Sequence, residues 1–108
     1  MTKVRFYKAD KGFTGFEISG HACLSLDTPD VLCAAISGMT MLTVNTLIEC
    51  FGVEVDFVSD EKKPLIKAEL LSCPDKNRDA ANGVVQGFVL QLQDFASQYP
   101  NNLYVEVN

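Results

Sequence analysis

The sequence predicts an α+β fold in which two helices pack on a mostly antiparallel sheet, in the order strand, strand, helix, strand, strand, helix, strand (ββαββαβ). Three observations lead there. Short runs of alternating apolar residues recur near both ends and in the middle of the chain. A long apolar stretch from Val31 to Phe51 has the composition of a helix. A later stretch from Val84 to Ala96 repeats its apolar residues at 3.6-residue spacing. With 47% hydrophobic and 21% charged residues the composition is that of a globular chain and not of a disordered one. At 108 residues the expectation is one domain, residues 1–108, with a core that needs no metal or disulfide staple.

The first strand is expected at Lys3 to Ala9, where Val4 and Phe6 share a face. Asp10-Lys11-Gly12 supplies a turn, and Phe13 to Ser19 returns with Phe16 and Ile18 on one face, which makes a β-hairpin. Gly20 ends the second strand and His21 follows at once. Residues 22–30 have no clear period and close on helix-start chemistry: either Thr28 caps with Pro29 first in the helix, or Asp30 caps with Val31 first. The helix then runs from Val31 to Phe51, where Gly52 stops it. Val53 to Phe57 alternates as a strand, Ser59 to Lys63 reads as a charged turn, and Leu65 to Leu71 is the partner strand. Pro74-Asp75 opens the second helix, Pro100-Asn101-Asn102 ends it, and Leu103 to Val107 is a final strand. Two strand-strand-helix units follow one another, yet no sequence repeat points to a duplication.

Net charge of −5 argues against direct binding of nucleic acid through a basic face, and suits a positively charged protein partner. The four cysteines, Cys23, Cys33, Cys50 and Cys73, form no C-x-x-C pair, and with a single histidine they make no zinc finger or knuckle; no metal and no cofactor is expected. The N-terminus has no continuous apolar signal-peptide core, so the expected compartment is the cytoplasm and the expected state of the cysteines is the thiol. The 31–51 helix is long enough to raise the question of a membrane span. Polar residues interrupt it on more than one side, from Ser37 and Thr40 to Glu49, so a covered helix and no membrane insertion are expected. A helix so apolar in so small a chain needs covering by a sheet, a second subunit or both, and a homodimer is expected.

One pair of residues has the makings of a catalytic site. Cys33 falls in the first or second turn of the long helix, where unpaired backbone N–H groups and the positive end of the helix favour a thiolate and offer donors to an oxyanion. His21 stands twelve residues upstream at a strand end. The intervening loop is able to fold it over the helix start, where an imidazole takes the thiol proton and later protonates a leaving amine. Asp30 reads either as an orienter of His21 or as a helix cap, and spacing alone favours the cap. Ser37 lies one turn beyond Cys33 on the same face; it is either a supporting hydrogen-bond donor or a mid-helix serine bonded back to a carbonyl. From the residues alone, catalysis and a bland pairing of half-buried Cys with strand-end His stand level.

Gly20-His21-Ala22, followed by Asp30-Val31-Leu32-Cys33-Ala34-Ala35-Ile36-Ser37, resembles the signature of the ribosomal-processing cysteine proteases, G-H-A and then D-x-x-C-A-A-x-S, with His and Cys twelve apart. The resemblance extends over the whole chain, through the apolar helix after the Cys and the Tyr99-Pro100 pair near the end of the second helix. It implies that Cys33 is the nucleophile and His21 its base, and it raises Asp30 and Ser37 above their structural readings. It further implies a bacterial, cytoplasmic, homodimeric endopeptidase that removes an N-terminal extension from the precursor of a ribosomal large-subunit protein. The chain departs from the family in one place: the loop between His and Cys usually carries glycines from the residue after G-H-A, whereas here that residue is Cys23 and residues 22–30 contain no Gly. Gating by that loop and the cleavage preference are therefore less closely implied than the pair itself. Two other readings compete: a ribosome-associated binding protein that does not cut, and a structural dimer module whose thiols all serve the core.

Overall fold

The structure is a computed structural model; it describes residues 1–20, 30–60, 62 and 65–108, with Asp30 described through its backbone alone. Five strands and two helices follow in the expected order: β1 (Thr2–Ala9), β2 (Gly12–Ser19), α1 (Asp30–Asn45), β3 (Glu54–Asp60), β4 (Leu65–Ser72), α2 (Arg78–Gln98) and β5 (Leu103–Val107). The strands form one sheet in the order β3-β4-β2-β1-β5. All neighbouring pairs are antiparallel except β1 with β5, which run parallel. The α+β expectation of helices on a mostly antiparallel sheet holds.

Alternation sets the faces of the sheet. Val4 and Phe6 of β1, Phe16 and Ile18 of β2, Ala68 of β4 and Leu103 of β5 are buried, and between them Lys3, Arg5, Lys67 and Glu69 face solvent. A bulge in β2 carries Phe13 into the same core as Phe16: the register slips between Tyr7 and Lys8, so that Tyr7 pairs with Gly15 and Lys8 with Phe13. The rings of Phe6, Phe16 and Phe88 then meet pairwise at 5.3–5.7 Å between centroids, with Phe88 edge-on to both strand rings. From α2, Ala81, Val85, Phe88, Val89 and Leu92 complete this layer.

In α1 the residues Leu32, Ile36, Thr40, Thr43, Val44 and Leu47 are buried. The threonines are tolerated there because each hydroxyl donates to a carbonyl one turn back: Thr40 to Ile36, Thr43 to Met39 and Thr46 to Leu42, all at 2.7 Å. The expected single helix to Phe51 changes character on the way. After Asn45 it widens into a π-type turn, Thr46–Cys50, and ends at Gly52 (φ 64°), where the Val53 N–H reaches the Leu47 carbonyl at 2.9 Å. Val31–Cys50 is long and apolar enough to cross a membrane, and its inner face is packed in the core.

Two further boundaries differ from expectation. The charged turn begins later than Ser59, because Ser59 and Asp60 still pair with Ile66 and Leu65; the turn starts where the Asp60 carboxylate accepts the Lys62 N–H at 2.9 Å. Residues 61, 63 and 64 lie outside the described set. Pro74-Asp75 opens a short 3₁₀ turn, Asp75–Asn77, and α2 proper starts at Arg78.

Candidate active site

Cys33 lies in the first turn of α1, which the structure opens at Asp30. It is half-buried and packed against the core, on the flank of the helix between the buried row and the solvent row. Ser37 stands one turn further on the same flank, also half-buried. Unlike the threonines of this helix, its hydroxyl makes no bond back to a carbonyl among the described residues. It remains available to a group arriving beside Cys33. The positive end of α1 favours negative charge at this place. His21, the other half of the expected pair, lies outside the described residues, as do Thr28 and Pro29. Cys50 and Cys73 are free thiols, as expected.

The strand end that leads to His21 is held by contacts no motif announces. The Thr2 side chain, 1% exposed, donates from Oγ1 to the Gly20 carbonyl at 3.0 Å. Gly20 itself has φ 66°, and a Cβ there would come to 2.4 Å from the Met1 carbonyl oxygen. Glycine is thus required before His21 for two independent reasons, conformation and space. Sequence reasoning had Gly20 as a strand terminator and gave Thr2 no part, since its hydrogen bond depends on β1 lying beside β2.

Beside the start of α1 a hollow of about 70 Å³ is lined by Val31, Leu32, Ala35, Phe95, Gln98 and Tyr99. It lies between the Cys33 helix and the end of α2, and its walls are mostly apolar. Among the described residues no group of three or more His, Cys, Asp or Glu side chains could hold a metal ion.

The comparisons with known proteins define the class of this two-helix α+β chain as a cysteine protease. The family model described as cysteine protease Prp matches residues 1–104, and the chain belongs to that family. It is 28% identical over 100 residues to the ribosomal processing cysteine protease Prp of Bacillus subtilis (strain 168), covering 92% of this chain and 89% of the relative. The fold is shared along its full length with Prp of Staphylococcus aureus, an essential ribosomal processing protease, solved with a substrate peptide (TM-score 0.84, 22% identity). The same S. aureus protein solved with a covalently linked product peptide gives a TM-score of 0.82 at 23% identity, again over 100% of both chains. A Streptococcus mutans structure is also similar, with a TM-score of 0.80 at 21% identity over 99% of this chain and 93% of that one.

Proposed function

We propose that this cysteine protease is a single-domain cytoplasmic endopeptidase, spanning residues 1–108, that removes an N-terminal extension from a ribosomal large-subunit protein, with Cys33 as nucleophile and His21 as general base. The observation that carries the reading is the place of Cys33, half-buried in the first turn of α1 within a chain matched by the family over residues 1–104. In the reduced protein His21 takes the Cys33 proton and the thiolate attacks the scissile carbonyl. Backbone N–H groups of the first turn of α1 stabilise the oxyanion. Collapse expels the amine, which takes its proton from His21, and water hydrolyses the thioester. Asp30 supports the imidazolium, and the Ser37 hydroxyl supplies a hydrogen bond to the substrate or to the pair. The substrate peptide is extended and partly basic, in keeping with a chain of net charge −5, and the hollow between Val31 and Tyr99 receives a small apolar part of it.

A homodimer belongs to the same proposal. Along α1 the exposed row is Val31, Ala34, Gly38, Met41, Leu42 and Asn45, with no charge in it until the exposed Glu49 of the π-type turn; Val31 and Leu42 are each 67% exposed. A contiguous uncharged row of this kind is uncommon on soluble monomers and fits a second copy of α1. The test of the activity is incubation of the reduced protein with a large-subunit precursor bearing its extension, followed by intact mass. Loss of the extension with wild type, and none with Cys33→Ala, is the expected result. An uncut precursor that nevertheless co-purifies with the protein would make it a binding protein instead.

A further inference from the structure

Both helices pack on one face of the sheet, and no described element covers the other. Pairing register sorts the side chains of that open face into rows across the strands. One row, Glu106, Arg5, Glu17 and Lys67, alternates in sign, and Arg5 meets Glu106 at 2.7 Å. The adjacent row is Tyr7, Gly15, Glu69 and Asp56, with two negative charges and no positive one. Asp56 and Glu69 are paired directly across β3 and β4, which puts their Cβ atoms about 5 Å apart, a placing that like charges disfavour. Both residues are exposed, and among the described residues neither carboxylate makes a hydrogen bond or an ion pair.

Between Glu69 and Tyr7 the row has a gap. Gly15 contributes no side chain there, and none fits, since a Cβ would come to 2.5 Å from the Ala68 carbonyl oxygen. Two strand spacings separate Glu69 from Tyr7, about 10 Å. A trough of about 410 Å³ opens at this place, bounded by Tyr7 and Glu69, with Glu17 and Lys67 toward the balanced row. A lysine or arginine laid in it would have an aromatic ring on one side and carboxylates on the other, and both kinds of partner select a cation. The occupant follows from the substrate proposed above, on which this inference rests. A ribosomal protein contacts RNA phosphates through lysine and arginine, so the part of the precursor that remains after cleavage is cationic. That sign is opposite to this row and to the chain as a whole, at −5. We propose that the row of Tyr7, Glu69 and Asp56 on the open sheet face is a docking surface for a lysine- or arginine-bearing segment of the precursor, beyond the scissile bond. Gly15 lies about 17 Å along β2 from the strand end at Gly20, so five or more extended residues separate the docked segment from that end. Docking holds the precursor near the site and therefore acts on KM and not on kcat.

The test measures binding and cleavage separately. A fluorescein-labelled peptide of alternating lysine and serine should bind the full chain at about 50 mM salt, where screening is weak. The double variant Asp56→Asn/Glu69→Gln should weaken that binding by ~3- to 10-fold, the range for two exposed charge pairs. Asp79→Asn/Asp94→Asn, at exposed positions of α2, makes the same change in net charge and should leave the affinity as it is. For a precursor bearing its extension, kcat/KM should fall by the same factor in the first double variant, through KM. A peptide ending just after the scissile bond should be cut by that variant at the wild-type rate. Its Tm should hold or rise, because a like-charge pair has been relieved. Affinity lost equally in both double variants would reduce the effect to net charge and overturn the docking surface, as would a precursor KM that does not move. A precursor left uncut by wild type, with the lysine peptide still bound through Asp56 and Glu69, would overturn the protease reading and leave the docking surface standing.

Discussion

At the start of β1 the buried Thr2 hydroxyl donates to the Gly20 carbonyl, one peptide unit before His21. Replacing Thr2 by Val keeps the shape but removes a part-buried hydrogen bond to that exposed residue's carbonyl, a loss of about 0.5–1.5 kcal/mol. If the bond positions His21, Thr2→Val should also lower kcat more than it raises KM, and Thr2→Ser should restore the rate; equal stability loss with an unchanged rate would make Thr2 purely structural. His21→Ala should reduce cleavage by ~100-fold or more, typical of a lost general base, with little change in Tm. For Asp30, the Asn variant separates the two readings: Asn caps a helix about as well as Asp but carries no charge. Asp30→Asn should therefore fold normally and cut slowly, and wild-type turnover in a peptide assay would reduce Asp30 to a cap.

The elements are held together by a few side chains acting at their ends. From α2 the Asn82 side chain accepts from the Phe13 N–H and donates to the Lys11 carbonyl, both at 3.0 Å, and so pins the β1–β2 turn. Gly12 in that turn has φ 126°, and any Cβ there would run into the Asn82 amide. Asn82→Ala should lower stability by about 1–3 kcal/mol in a denaturant titration, and Gly12→Ala should cost more, through conformation as well as space. At the head of α2, Arg78 bonds Asp75 at 2.8 Å. That hydrogen bond and the guanidinium charge hold the Asp75 carboxyl below its ordinary value of 3.8. Because the folded value is the lower one, the pair's contribution is present above pH 3.8 and disappears as pH falls through the folded value. Asp75 is solvent-exposed and Arg78 only half-buried, so the effect on stability is small and weakens with salt. In an NMR titration Arg78→Ala should return Asp75 upward toward its ordinary value.

For the molecule as a whole, the uncharged row on α1 predicts association. Light scattering at micromolar concentration should give a dimer, and Leu42→Glu, on the exposed side, should give a monomer of 11.9 kDa with unchanged circular dichroism. A wild-type monomer would leave that row uncovered for another partner. Sheet topology fixes the strand end that precedes His21 in the sequence. β2 lies between β4 and β1, so the strand end at Gly20 is held from both sides, by Leu65 opposite Ser19 and by Thr2 across the hairpin.

The order and type of the elements were legible in the residues because each is set locally: Val4 and Phe6 alternate, Val85, Phe88, Val89 and Leu92 recur at helical spacing, and Gly52 stops the first helix. The candidate site was named by Gly20-His21-Ala22 and the run from Asp30 to Ser37, of which the described residues include Gly20 and the run from Asp30 to Ser37. What only the tertiary structure decided rests on contacts between segments far apart in the chain. The bulge that turns Phe13 inward, the parallel seat of β5 beside β1, the Thr2 hydrogen bond and the continuation of β3 to Asp60 all follow from pairing register. Periodicity reports which face of a segment is apolar, but a hydrogen bond or a disulfide requires the position of a second segment, and that position exists only once the chain has folded.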